Sequence, residues 1–346
     1  MTPSNLIVSL LVTALSAHAS VKSTHVIGWG QNLAGEACGS PSKGAPVCVV
    51  EIGASPMTNI VAVAAGRGHS LALRGDGTVL AWGFGYYGQT SVPAGLSNVV
   101  GIAAGYNFSV AIARGGQVVA WGRNDEGQIN VPVDATNVAA VSAASFHALA
   151  LRADGTVTRW GRQTDPMPKL TNIVAIAAGG GKFERNLALR RDGTIVAWGG
   201  SLPKAALGLT DVVAIAAGEY HSLTLKRDGT VFGWGGNECG QATGIPSDVA
   251  PYEGSGLVKI AGQTLTNVVA IAAGNEYGLF GSLSRYSLAL RADGTVVAWG
   301  QFGSEQAVVP ARVTNVMSVS AGHNFCLAII TNGIPALPHP SSQPSK

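Results

Sequence analysis

The feature that most constrains this chain is an eight-residue phrase built around tryptophan, clearest at Asp293-Gly294-Thr295-Val296-Val297-Ala298-Trp299-Gly300. Near-copies end at Trp82, Trp121, Trp160, Trp198 and Trp234, and a partial copy ends at Trp29, which accounts for all seven tryptophans. Ahead of each copy runs a second phrase: an apolar stretch, Ala-Ala-Gly, a short polar or aromatic loop, then Ser-Leu-Ala-Leu. Ile60 to Leu73 and Val213 to Leu225 are two examples. Successive tryptophans stand 53, 39, 39, 38, 36 and 65 residues apart, so the unit is about 36 to 39 residues with long insertions at 31–58, 237–266 and 275–286. A unit of this size cannot bury its apolar face alone, and the copies must stack into one array.

A repeat array overrides the two domains that 346 residues would otherwise allow. Only 12% of the chain is charged and 47% is hydrophobic, which predicts much buried strand. The net charge is +3 and the Lys and Arg are scattered without a basic stripe, which argues against a nucleic-acid partner. Residues 1–19 read as an export signal. Leu6 to Leu15 is apolar but too short to span a membrane, and Ala17-His18-Ala19 places small residues at the cleavage positions, although no Lys or Arg precedes them. No later run is long enough for a membrane span. The expected location is therefore secreted or periplasmic. Cys38 and Cys48 share one inserted loop and could close a small disulfide ring. Cys326 replaces the Ser of Ser-Leu-Ala-Leu, which predicts a buried free thiol, and Cys239 sits in a loop.

Within a unit, the run from Asn98 to Ala104 predicts an inner strand, Ser109 to Ala113 a second and Gln117 to Trp121 a third. Gly115-Gly116 turns this hairpin, and Asp-Gly turns the others at Asp76, Asp154, Asp192, Asp228 and Asp293, where both turn residues are expected at positive φ. Gly127 to Pro132 predicts a short outer strand or connection. Three to four strands per unit without a helix is the pattern of propeller blades. The last unit stops after Cys326–Ile330 without a third strand, and His25 to Gly30 is a third strand without a hairpin. Joining them closes a ring of seven blades over residues 25–334 and removes the open edges. The Pro/Ser-rich end, 335–346, reads as a disordered tail.

The recurring Ala-Ala-Gly, His-Ser-Leu-Ala-Leu, Asp-Gly-Thr-Val, Ala-Trp-Gly, Gly-Gln and Val-Pro elements resemble the regulator of chromosome condensation repeat in its compact bacterial form. The resemblance covers roughly residues 25 to 334. It implies a seven-bladed β-propeller, and a secreted β-lactamase inhibitor of this repeat type is the functional relative it suggests. The family name also suggests guanine-nucleotide exchange, which the export signal opposes.

Most conspicuous residues have a structural reading. A tryptophan needed once in every unit fills the gap between neighbouring blades. Five of the 19 acidic residues serve Asp-Gly turns. His69, His147 and His221 occupy one slot on units one, three and five, too far apart for zinc, and are expected to be satisfied by loop backbone. Gly83-Phe84-Gly85-Tyr86-Tyr87-Gly88 matches a dinucleotide-binding pattern, but Gln89 to Pro93 cannot begin the helix it requires. Gly179 to Lys182 lacks the hydroxyl residue and helix of a phosphate loop. No nucleophile–base grouping stands at a defensible spacing, so no enzyme and no cofactor or metal is expected.

What varies between units is the loop after Ala-Ala-Gly and the loop after Trp-Gly, both expected on the face opposite the Asp-Gly turns. That face collects 11 of the 15 Phe and Tyr. The candidate binding residues are Phe84, Tyr86, Tyr87, Tyr106, Phe146, Phe183, Arg185, Tyr220, Tyr277, Phe280, Phe302 and His323. Phe108 and Phe325, in the slot before the second strand, are expected beneath their loops. Aromatics interspersed with Arg and acids are the composition of a protein-recognition surface. The expectation is a monomeric, exported propeller that binds a protein, as an inhibitor or adaptor. The alternative is a carbohydrate-binding or glycan-active propeller, with Asp125, Glu126, Glu219 and Glu276 as the available carboxylates.

Overall fold

The computed structural model describes residues 24–41, 47–52, 55–162, 166–180, 185–199, 206, 208–248, 253–274, 285–301 and 308–331. The export segment, the tail and most of 275–286 lie outside them. Strands β1 (Thr24–Gly30), β2 (Val47–Val49), β3 (Glu51–Ile52) and β4 (Ser55–Pro56) open the chain. Sheet one contains β5 (Ile60–Ala65), β6 (His69–Arg74) and β7 (Val79–Gly83), and sheet two contains β8 (Val99–Ala104), β9 (Phe108–Ala113) and β10 (Gln117–Gly122). Sheet three is β11 (Val138–Ala143), β12 (His147–Arg152) and β13 (Val157–Gly161), and sheet four is β14 (Ile173–Ala177), β15 (Asn186–Arg190) and β16 (Ile195–Trp198). Sheet five has four strands, β17 (Val212–Ala217), β18 (His221–Lys226), β19 (Val231–Gly236) and β20 (Glu253–Leu257), followed by a hairpin of β21 (Lys259–Ile260) and β22 (Gln263–Thr264). Sheet six is β23 (Val268–Ala273), β24 (Arg285–Arg291) and β25 (Val296–Gln301). The last sheet is ordered β2-β1-β27-β26, with β26 (Val316–Ala321), β27 (Phe325–Thr331) and the N-terminal strand β1 paired antiparallel to β27 from Thr24↔Thr331 to Gly30↔Phe325. The described residues are all-β, with no α-helix.

The first strand of each sheet packs beside the first strand of the next, and β26 packs beside β5. Together these strands surround an axial channel of about 360 Å³ lined mostly by Ala, Val and Ile. Second strands are buried except at their ends, and small residues such as Ala72, Ala111, Ala150 and Ala289 let neighbouring sheets meet there. The tryptophans fill the spaces between sheets. Trp121 of β10 packs with Leu71 and Leu73 of β6, and Trp160 of β13 packs with Phe108 and Val110 of β9.

Two hydrogen-bonded pins recur around the array. On the turn rim, each first strand is entered through a left-handed residue: Asn59, Asn98, Asn137, Asn172, Asp211, Asn267 or Asn315, with φ between 52° and 60°. Asn and Asp tolerate that conformation better than other side-chain-bearing residues. It aims the next N–H at the preceding hairpin, so Val99 donates to Gly77 O at 3.0 Å, Val138 to Gly116 O at 3.1 Å and Val316 to Gly294 O at 3.1 Å. On the opposite rim, the carbonyl of Gln89 accepts both Trp121 Nε1 at 2.9 Å and Ser109 Oγ at 2.8 Å, from the following sheet. Gln241 holds Trp299 and Ser287 in the same way, Gln128 holds Trp160, and Glu36 holds Trp82 and Ser70. The Gly-Gln element of the repeat is therefore an inter-sheet pin. Its side-chain oxygen orders the loop by accepting from the N–H two residues earlier, as Gln89 does from Tyr87 at 2.9 Å.

The turns and the insertions add detail that the repeat pattern does not carry. In the Asp-Gly hairpins only the glycine has positive φ, as Gly77 does at 83°. Asp76 instead accepts from Thr78 N and Thr78 Oγ1, which gives an ordinary turn closed by a left-handed glycine. Gly115-Gly116 and Ala261-Gly262, the turn of the β21–β22 hairpin, have both residues positive. Of the two forms expected for Gly127 to Pro132, an outer strand or a connection, the connection is the one present, built of turns. The fourth strands lie instead inside the two long insertions, which are copies of one strap. Asn32 Oδ1 accepts from Ala37 and Cys38 N, and Asn237 Oδ1 accepts from Ala242 and Thr243 N. Each strap then adds an edge strand, β2 on β1 and β20 on β19. Both cross a glycine: a Cβ at Gly28 would lie 1.9 Å from Ala37 O, and one at Gly233 would lie 1.9 Å from Ala242 O. Cys38 and Cys48 are bonded, with Cα atoms 5.6 Å apart, while Cys239 and the buried Cys326 are not disulfide-bonded among the described residues.

Candidate functional site

Because His69 pairs with Gly83 and Phe108 with Gly122, the loop after each first strand and the loop after each Trp-Gly leave at the same end of the sheet. The Asp-Gly turns leave at the other. On the loop face two stacks of arginine and aromatic side chains cross sheets one to three. In the outer stack Phe84 and Tyr86 lie 6.2 Å apart and nearly parallel, Tyr86 and Tyr87 meet edge to face at 5.0 Å, and the Arg123 guanidinium lies 5.1 Å from the Tyr87 ring centre. Arg123 Nε donates to Asp125 Oδ1 at 2.7 Å. That bond raises the Arg123 pKa and lowers that of Asp125, so both stay charged. In the inner stack Arg67 covers Tyr106 at 4.2 Å, Tyr106 meets Phe146 at 5.7 Å, and Arg162 covers Phe146 at 5.0 Å while pairing with Glu126 at 2.9 Å. A separate pair on sheets five and six sets Arg285 over Tyr220 at 5.4 Å, with Glu238 against Arg285. Stacked, hydrogen-bonded arginines hold one conformation, and such a surface meets a partner at low entropic cost.

The candidate residues divide accordingly. Tyr86 is 81% exposed, and Phe84, Tyr87 and Tyr220 are exposed to a lesser degree. Tyr106, at 7%, is buried beneath Arg67 and Phe146 and supports the surface without offering a ring to it. His323 is likewise buried, its N–H bonded to Gly66 O across the junction of the last sheet and sheet one. Arg185 lies beside Gly235, away from the stacks. Phe183, Tyr277, Phe280 and Phe302 lie outside the described residues. Arg123, Arg162, Arg285 and Leu33 were not among the candidates. The signal for Arg123, Arg162 and Leu33 is positional, since the second and fourth residues after each tryptophan are the ones that vary on the loop: Phe84, Arg123 and Arg162 in one slot, Leu33, Tyr86, Asp125 and Glu238 in the other; Arg285, at the start of β24, lies in neither slot.

The three histidines are satisfied differently from expectation. His69 Nε2 meets Ser109 Oγ at 3.1 Å, His147 Nε2 meets Asn186 Oδ1 at 2.7 Å, and His221 Nε2 meets Ser287 Oγ at 2.7 Å. Each partner is a side chain of the next sheet, not loop backbone. Ser109 and Ser287 give their own protons to the Gln89 and Gln241 carbonyls, so His69 and His221 donate through Nε2 and are neutral. Burial depresses their pKa to about 4 and about 3. Among the described residues no three His, Cys, Asp or Glu gather as a metal site.

The regulator of chromosome condensation (RCC1) repeat profile matches residues 60–89, 99–128 and 212–241. Among solved structures, Prp20p from Saccharomyces cerevisiae, described with its binding to Gsp1p and histones, superposes with a TM-score of 0.66 at 22% identity over 91% of this chain and 93% of its own. Yeast RCC1 (Prp20) bound to Kap60 gives 0.67 at 21% identity, over 97% and 95%. Human WBSCR16 gives 0.61 at 18% identity, over 90% and 100%. No curated protein sequence matches. Three segments of the chain thus match the RCC1 repeat, and the chain shares the β-propeller fold of these structures.

Proposed function

We propose that this RCC1-repeat chain is a seven-bladed propeller, closed by β1, that is exported and binds a protein partner through the loop face of sheets one to three without catalysing a reaction. The observation that carries the reading is the pair of arginine–aromatic stacks, with Tyr86, Tyr87 and Phe84 exposed on a rigid scaffold. Tyrosine and arginine dominate the energetics of protein interfaces, and loops on a rigid fold are where recognition residues concentrate. The propellers it resembles in fold include one described by its binding to Gsp1p and histones and one bound to Kap60. Inhibition of an extracellular or periplasmic enzyme is one form that binding would take, in line with the bacterial inhibitor that the repeat resembles.

The test is capture from the secreted and envelope fraction on immobilised residues 20–346, followed by titration of the purified partner. Tyr86→Ala and Tyr87→Ala are each expected to weaken it tenfold or more, about 2 kcal/mol for an anchor. A partner indifferent to both, and to Tyr220→Ala, would refute the assignment of the face. Export is checked by the N-terminal sequence of the secreted product, expected to begin at Ser20. An intact Met1 on intracellular protein would overturn it.

A further inference from the structure

We infer that the exposed cluster Phe84, Tyr86 and Tyr87 takes an extended, uncharged, proline-rich segment of the partner protein. This rests on the reading of the loop face given above. The cluster offers ring faces and hydroxyl donors and little else. Tyr86 and Tyr87 stand at 85° to one another with centres 5.0 Å apart, so one ring forms the floor and the other the wall of a notch. Neither phenol hydroxyl bonds a protein group among the described residues. The charges beside the notch are already matched. Arg123 covers Tyr87 and is held by Asp125, and Gln128 also donates to Asp125 at 3.1 Å. A partner cation would find the Tyr87 face occupied, and a partner anion would have to displace Asp125.

The ligand such a surface fits is apolar, extended, and rich in acceptors that need donors. A polyproline II segment has that chemistry. It makes no internal hydrogen bonds, its prolines lack N–H groups, its carbonyls face outward for tyrosine hydroxyls, and its pyrrolidine rings lie flat on aromatic faces. Both surfaces are ordered before contact, which limits the entropic cost of binding. A sugar fits less well. It calls for a flat ring platform with a free carboxylate or amide at its edge, and here Tyr87 stands perpendicular to Tyr86 and Asp125 is engaged.

The probe is fluorescein-labelled decaproline, titrated with the full chain by fluorescence polarisation. Decapeptides alternating Ser with Glu and Ser with Lys, and a labelled glucan hexamer, are run in parallel. Expected are saturable binding of decaproline, a loss of at least tenfold in Tyr86→Ala with an unchanged melting curve, and no loss in Val133→Ala on the opposite rim. The affinity should change by less than about twofold between roughly 50 and 300 mM salt, since no charge pair forms. Preference for a charged peptide or the glucan would overturn the inference, as would no binding of decaproline. If the captured partner still needed Tyr86 while decaproline failed to bind, only the proline-rich ligand would be wrong. If neither needed Tyr86, the face itself would be.

Discussion

In the slot ahead of the Ser-Leu-Ala-Leu element, six of seven units place a ring, His69, His147 and His221 in three and Phe108, Tyr286 and Phe325 in three, with Arg185 in the fourth unit, and the exchange explains what the histidines do. A flat ring is wanted there, under the Ala-Ala-Gly loop. The glycine makes room for it: a Cβ at Gly105 would lie 2.1 Å from Phe108 Cε1, and Gly105→Ala should cost about 1 to 3 kcal/mol in denaturant unfolding. The imidazole adds a hydrogen bond to the next sheet and, with it, a liability in acid. Because the folded pKa of His221 is depressed to about 3, its stabilising contribution is present above the unfolded value near 6.5 and is lost as the pH falls toward 3. His221→Phe should therefore fold, and should lessen the fall in Tm between pH 6.5 and 4. An unchanged acid profile would show that His221 is not its source. Glu36 has the opposite sign. It stands in the Gln slot of the inter-sheet pin, and burial raises its pKa, so the folded state is disfavoured as the pH rises above about 4.5. Glu36→Gln should raise Tm at pH 7 and leave it nearly unchanged at pH 4.

At the scale of elements, the straps at 31–58 and 237–266 look unrelated in sequence and are one device. Each carries Asn three residues after tryptophan, glycine one residue before it, and an edge strand that widens its sheet from three strands to four. The first strap is tied by Cys38–Cys48, and the second has Thr243 and Gly256 at the corresponding places. Cys38→Ser should lower stability by about 3 kcal/mol, the loop-closure entropy of a ring this small, measured by denaturant unfolding under oxidising conditions. The repeated strands were legible from apolar runs and turn glycines. The fourth strand was not, because Glu253-Gly254-Ser255-Gly256-Leu257 has neither β-branched residues nor an apolar face to mark it. The aromatic loop face was legible as a bias in where Phe and Tyr fall. The stacking of its arginines on those rings was not, since Arg67 and Tyr106 meet from 39 positions apart, with no local pattern to announce the contact. Histidine partners escaped for the same reason, since each lies a whole unit away.

For the whole molecule, the two ends of the described chain lie side by side, Thr24 opposite Thr331, where other sheets place a hairpin turn. A circular permutant that joins Thr331 to Thr24 through an Asp-Gly-Thr turn, with new ends cut at Gly115-Gly116, should fold with Tm within a few degrees of the parent. Failure of that permutant, with the uncut parent folding normally, would contradict a ring closed by β1. The pairing of β1 with β27 also sets an order of events during synthesis. β1 leaves the ribosome about 300 residues ahead of β27, its neighbour on that side. At roughly 5 to 20 residues per second the first strand waits between about 15 and 60 seconds for its mate. Until then the nascent chain carries an unsatisfied edge at each end, open to pairing with other chains. A product that stops before Phe325 therefore lacks the strand with which β1 pairs, and it carries that open edge for as long as it lasts.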